Sequence, residues 1–168
     1  MERNEVIAIL EKENIGYESI RHKAVFSIKE MIDADVKNPE RIAKNLFLRD
    51  DKKRAYYLVS VRNDKAVDLK ALRAAIQSRP LSFASEEDLK AILSLGKGEV
   101  TPFGLLDDRD HKAFFILDEY FEDGIIGIHP DDNSETIFLK TSDLLSLFSG
   151  YEVSWKIVEI PEKTPENR

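Results

Sequence analysis

Cysteine is absent from this chain, which excludes disulfides and cysteine nucleophiles together. No apolar run approaches the ~20 residues of a membrane-spanning helix. The opening Met1-Glu2-Arg3-Asn4-Glu5 lacks the basic-then-apolar order of a signal peptide, so a cytoplasmic protein is the expectation. Histidine is scarce: His22, His111 and His129 show no metal-ligand spacing, and no metal site is expected. No Gly-x-Ser-x-Gly elbow is present. Lys97 lies between glycines, but the Lys-Ser/Thr of a phosphate loop is missing. An enzyme built on this chain would position water rather than form a covalent intermediate. Basic charge is also in deficit: 25 Lys and Arg against 32 Asp and Glu leave a net charge of −7. That argues against a general nucleic-acid binder but not against one local basic patch guiding an RNA end. The candidate patch is Arg41, Lys44, Arg49, Lys52, Lys53 and Arg54, which reads first as solvated charge flanking a turn.

What is present suffices for one globular domain. The chain has 168 residues, 42% of them hydrophobic, enough for a real core. Residues 4–14 read as a helix capped by Asn4 and stopped at Gly16, and residues 17–22 as a strand. A second helix is expected after Ser27, where Ser27 and Glu30 have capping-box spacing. Asn38-Pro39 breaks the chain. Residues 42–48 and 56–61 read as strands joined into a hairpin by Asp50-Asp51-Lys52-Lys53. A helix over 68–77, a strand over 81–83 and a Ser85-capped helix over 85–95 follow. Strands over 113–117, 125–129 and 136–139, with a turn at Asp131–Ser134, precede a short helix over 142–148 and a strand over 153–160. The expected fold is a single α/β domain over 1–160, with a polar tail over 161–168. Its sheet is mixed and largely antiparallel, or a partly closed barrel, flanked by helices.

Three segments stand out chemically. In an extended 42–48, Lys44 shares a face with Ile42, Leu46 and Leu48. An ammonium among aliphatics either snorkels to water or holds a ligand. In Gly127-Ile128-His129-Pro130, Ile126 and Ile128 face the core. Gly127 and His129 face the other way, where a glycine gives a ligand room to approach; a histidine bonded to a nearby carbonyl is the plainer alternative. Gly98-Glu99-Val100-Thr101-Pro102-Phe103-Gly104 can hold backbone N–H groups in a fixed array, as an oxyanion hole does, or it is an ordinary loop. Asp131, Asp132 and Glu135 could bind a cation but read first as a solvated turn.

Taken in order, Lys44-Asn45-Leu46-Phe47-Leu48-Arg49-Asp50, Leu81-Ser82-Phe83-Ala84-Ser85, Val100-Thr101-Pro102-Phe103-Gly104-Leu105-Leu106 and Gly127-Ile128-His129-Pro130 resemble the YbaK/prolyl-tRNA-synthetase-associated editing domain superfamily. Within it, the wording is most like that of the free-standing alanyl-tRNA(Pro) deacylases of the PrdX or ProX type. The resemblance runs from about residue 4 to residue 160. It implies hydrolysis, in trans, of the ester joining a wrongly attached amino acid to tRNA. Alanine on proline tRNA is the first expectation; cysteine, serine or threonine on another tRNA is the alternative. A non-catalytic module that binds tRNA or a synthetase is the rival class. The resemblance places the family's essential lysine at Lys44, holding the terminal phosphate or ribose. It places the glycine-to-proline loop at Gly98 through Pro102, with Thr101, its amides holding the substrate carbonyl. Substrate contacts are expected at Asn45, Phe103, Gly104, Gly127 and His129, with Asn45 ranked lower because a regular strand turns it to the face opposite Lys44. Arg49, Lys52, Lys53 and Arg54 are expected to meet the tRNA. The family's use of the substrate's own ribose hydroxyl fits the missing nucleophile. No cofactor is expected, mischarged tRNA is the expected partner, and prolyl-tRNA synthetase is a candidate one. Without the extra domains of a synthetase, the chain is not expected to charge tRNA itself.

Overall fold

The computed structural model describes residues 1–22, 38–131 and 134–164. The helix expected after Ser27 and the centre of the 131–134 turn lie outside them. The element order is α1 (Arg3–Lys12), β1 (Tyr17–Arg21), β2 (Ala43–Asp50), β3 (Tyr56–Arg62), α2 (Leu69–Ile76), β4 (Leu81–Phe83), α3 (Glu86–Leu93), β5 (Ala113–Asp118), β6 (Ile125–Ile128), β7 (Glu135–Lys140), α4 (Thr141–Gly150) and β8 (Trp155–Val158). Short 3-10 turns occupy Pro39–Arg41, Pro102–Asp107 and Glu119–Phe121. Among the described residues no helix is long and apolar enough to cross a membrane.

Local chemistry explains the element ends. Glu2, not Asn4, opens α1, and the Glu5 carboxylate accepts the Glu2 N–H at 2.9 Å. After α1 the left-handed residue is Asn14 at φ 56°, not Gly16; asparagine tolerates that conformation. Asp68 and Ser85 cap α2 and α3, accepting the N–H groups of Ala71 and Asp88 at 3.1 and 3.0 Å. The β2–β3 turn is clamped by the Asp50 carboxylate, which accepts the N–H groups of Lys52 and Arg54 at 3.1 and 2.9 Å.

Two sheets form, rather than a closed barrel. One is β1-β7-β6, wholly antiparallel. The other is β4-β2-β3-β5-β8, in which β2 pairs antiparallel with β3 and β4, while β3–β5 and β5–β8 are parallel. A single parallel bridge between Ile42 and Gly127 links the two sheets. One face of the larger sheet carries Phe47, Leu58, Phe115 and Leu117 into the main core. There they meet Ile126, Ile128 and Phe148, with Phe115 and Phe148 edge-to-face at 5.0 Å. The other face carries Leu48, Val59 and Ile116 into a second cluster with Leu72 of α2. The period-2 alternation of β2 therefore sends successive residues into different environments.

Candidate active site

Strand β4 covers β2 only from Leu48 to Asp50. At the other end, Ile42 is bridged to Gly127. Between these anchors, the β4 side of β2 has no strand partner among the described residues. A cavity of about 720 Å³ opens along that gap, within the size range of small-molecule sites. Its walls come from four places. Strand β2 gives Lys44, Asn45 and Phe47; β4 and the start of α3 give Phe83, Ala84 and Leu89. The loop after α3 gives Lys97, Gly98 and Val100, and the smaller sheet with its flanks gives His22, His129 and Thr136.

Four residues expected from the sequence thus border one hollow: Lys44, Asn45, Gly98 and His129. Lys44 and Asn45 reach it differently. The Lys44 ammonium donates to the backbone carbonyl of Lys65. Burial pushes its pKa below the ordinary lysine value, and the carboxylates of Asp64 and Glu162 offset part of that. The Asn45 carboxamide lies on the other face, where its oxygen accepts the hydroxyl of the fully buried Ser60 at 2.6 Å. That bond leaves the carboxamide NH2 as a donor.

The turn that receives Lys44 is itself pinned. Lys65 is buried, and its ammonium meets Asp118 at 3.2 Å and donates to the Ile160 carbonyl at 3.0 Å. Asp118, 1% exposed, also accepts the N–H groups of Arg62 and Tyr120 at 3.0 and 3.1 Å. A buried charge pair with further hydrogen bonds holds a fixed geometry, so the Lys65 carbonyl presents a defined acceptor. The sequence reading missed Ser60, Lys65 and Asp118. Ser60 is the one polar residue inside the apolar run 56–61, a signal available without coordinates.

The glycine loop divides in two. Gly98, at φ 83°, borders the cavity; Thr101, Pro102, Phe103 and Gly104 are buried and do not line it. The Thr101 hydroxyl accepts the Phe103 N–H at 3.4 Å and donates to the His129 carbonyl at 2.6 Å. The Gly104 N–H goes to the Thr101 carbonyl at 3.0 Å. These residues therefore tie the loop to the strand end carrying His129, and the amides of residues 103 and 104 are occupied internally. At Gly127 the space a side chain would fill is taken by the Phe138 ring, 2.6 Å from an ideal Cβ, and by Ile42 at 3.1 Å. The glycine serves the junction between sheets rather than an open approach.

Arg41 is similarly occupied, donating to the carbonyls of Tyr120, Asp123 and Ile125 at 3.3, 2.8 and 2.8 Å beneath the rings of Tyr120 and Phe121. Lys52, Lys53 and Arg54 are exposed on the hairpin tip, with Arg49 at its base. The tip lies roughly 13 Å along β2 from Phe47, at ~3.3 Å per residue. Glu135 is not part of a solvated turn: it is buried and bound by Arg3 and Ser19. Burial alone would raise its pKa, but those hydrogen bonds and the Arg3 charge hold it below the ordinary carboxylate value. Ser85, the one serine on the wall among the described residues, has its hydroxyl engaged as the α3 cap.

Comparison with known proteins agrees with this architecture. Residues 22–147 match the family model for the aminoacyl-tRNA editing domain. The chain is 40% identical over 156 residues to the prolyl-tRNA editing protein ProX of Acetoanaerobium sticklandii, covering 92% of this chain and 95% of that one. It is 36% identical over 138 residues to the prolyl-tRNA synthetase associated domain-containing protein 1 of Bos taurus, covering 79% and 80%. A solved structure assigned provisionally as a trans-editing enzyme for prolyl tRNA synthetase superposes with a TM-score of 0.71 at 19% identity, covering 96% and 97%; at that identity the likeness is one of fold.

Proposed function

Since this chain belongs to the aminoacyl-tRNA editing domain family, we propose that it is a trans-acting hydrolase that clears alanine from mischarged proline tRNA. The observation that carries the reading is the convergence of Lys44, Asn45, Gly98 and His129 on one cavity, beside a stretch of β2 with no strand partner on that side among the described residues. At about 720 Å³ that cavity accommodates an aminoacyl ester together with the nucleoside bearing it. The need for such an enzyme is physical. A synthetic pocket built for proline rejects a residue smaller by a methylene or two only by ~1–3 kcal/mol per group, so a second site must remove the error.

In this reading the 3′ end of the tRNA enters along the β2 edge. The Lys44 ammonium leaves the Lys65 carbonyl for the backbone phosphate or ribose of the substrate. The Gly98 amide holds the ester carbonyl and stabilises the charge that develops as water adds. The Asn45 carboxamide, set by Ser60, and His129 orient the ester and its nucleoside. The neighbouring ribose hydroxyl of the substrate places the water, as the family resemblance implies. Collapse of the adduct breaks the bond between acyl carbon and ribose oxygen. The ribose oxygen takes a proton and alanine leaves with a free carboxyl group. Arg49, Lys52, Lys53 and Arg54 draw the stem toward the site.

Purified protein with a panel of mischarged tRNAs tests this. Fastest loss of alanine from alanyl-tRNA(Pro) is expected; loss no faster than in buffer overturns hydrolysis, and preference for another aminoacyl group overturns the substrate. Lys44→Ala is expected to lower kcat/KM about 100- to 1,000-fold, the scale for losing one preorganised electrostatic contact.

A further inference from the structure

Among the described residues three large hydrophobic side chains are exposed: Phe83 at 61%, Phe114 at 45% and Trp155 at 39%. Two of them are engaged. Phe114 stacks on Tyr57 with ring centroids 6.0 Å apart, and Trp155 donates its indole N–H to Ser149 at 3.0 Å. Phe83 has no ring contact among the described residues, and it alone of the three borders the cavity. Its position follows from register. Phe83 pairs with Leu48, and its neighbour two residues back, Leu81, packs into the second cluster. Phe83 therefore stands on the Leu48 face of the sheet, the face that also carries Lys44.

Sheet packing gives no reason for this ring. Strand β4 has three residues, and its backbone already pairs with β2 whatever side chain it bears. A polar residue at such an exposed edge position would hold the strand equally well and blunt the edge. Two cations lie within reach of the ring: Lys97, exposed and 3.8 Å from the also exposed Glu86, and Lys44, four residues along the neighbouring strand and roughly 13 Å away. An unstacked aromatic face beside cations at the mouth of a cavity is the arrangement that holds an unpaired nucleobase and its backbone.

We propose that Phe83 is the stacking platform for the terminal nucleobase of the RNA whose ester enters the cavity. The base lies on the ring at the mouth of the cavity, and its ribose turns the ester inward toward Asn45 and Gly98. The inference rests on the deacylase reading but is separable from it. A π face binds any base, so the platform supplies affinity and placement, not sequence choice.

The test uses the full chain. Phe83→Ala is expected to raise KM for alanyl-tRNA(Pro) by about 5- to 150-fold, the range for one base–aromatic stack, with kcat little changed. Phe83→Tyr and Phe83→Trp should restore KM, whereas Phe83→Leu, equally apolar, should not. The thermal midpoint should be the same in all four variants. An alanyl ester of ribose lacking the base should be cleaved equally by wild type and Phe83→Ala. In a Trp155→Phe background, Phe83→Trp fluorescence should be quenched by an uncharged RNA ending in unpaired adenosine. Wild-type KM in Phe83→Ala, rescue by leucine, or no quenching overturns the platform. If wild type cleaves no aminoacyl-tRNA, the deacylase reading fails, and the quenching measurement still decides whether the ring binds a base.

Discussion

Replacing Asp118 with alanine should unfold the site from behind. The carboxylate is 1% exposed and meets the Lys65 ammonium, itself 9% exposed, at 3.2 Å. It also accepts two backbone N–H groups, from Arg62 and Tyr120. Removing one partner of a buried charge pair costs about 3–5 kcal/mol, because the other charge is left uncompensated. Losing the two backbone acceptor bonds adds about 1 kcal/mol, since both donors are only partly buried and reach water. Against a domain stability of roughly 5–15 kcal/mol, a total near 4–6 kcal/mol removes about a quarter or more. At about 2–4 °C per kcal/mol for a chain of this length, the midpoint should fall by roughly 8–24 °C. Urea unfolding followed by circular dichroism, with calorimetry on the same samples, measures it. Lys65→Met is the companion variant. It leaves the buried carboxylate two N–H donors, whereas Asp118→Ala strips both the Lys65 ammonium and those N–H groups of their acceptor, so Lys65→Met should cost less. Near-wild-type stability in Asp118→Ala, or the reverse order of the pair, would refute the claim that this ion pair anchors the turn beneath Lys44.

Lys44→Met should separate stability from activity. A lysine whose folded pKa lies below the ordinary 10.5 binds fewer protons folded than unfolded between those two values. Stability therefore rises with pH across that window. The variant should lose the rise and match or exceed wild type at neutral pH while its deacylation collapses; an unchanged pH slope contradicts the burial argument. Glu135 works with the opposite sign. Its folded pKa lies below the ordinary 4.5, so its contribution is complete above that value and lost as pH falls through the folded one. Arg3→Met should shift the acid-unfolding midpoint upward, and an unchanged midpoint would show that the pair contributes nothing. Gly127→Ala places a Cβ 2.6 Å from the Phe138 ring. The overpacking should cost about 1–3 kcal/mol in equilibrium unfolding, and a neutral result would mean that the sheet junction yields freely.

Much of the architecture was legible along the chain because it rests on local rules. The hairpin of β2 and β3 follows from two apolar runs around an acidic-basic turn, and Ser85 announces α3 through cap chemistry that acts over three residues. Alternation correctly separated Lys44 from Asn45 and put Ile126 and Ile128 in the core. Cap signals went astray where a neighbour of equal aptitude competed: Glu2 for Asn4 at the start of α1, Asn14 for Gly16 at its end.

By itself, then, the sequence determined the element types, the two faces of β2 and the set of candidate residues, since each depends on spacings within a few positions. Only the tertiary structure decided which of those candidates share a hollow. Thr101 and Gly127 are built into packing, whereas Phe83 stands free at the rim. The contacts responsible, Lys44 with Lys65 and Asn45 with Ser60 among them, join residues 15 to 21 positions apart. Among the described residues, the gap along β2 exists because β4 is short and β6 is bridged to this side only at Ile42. Strand length and sheet pairing across the whole domain set that opening, and no local pattern encodes it.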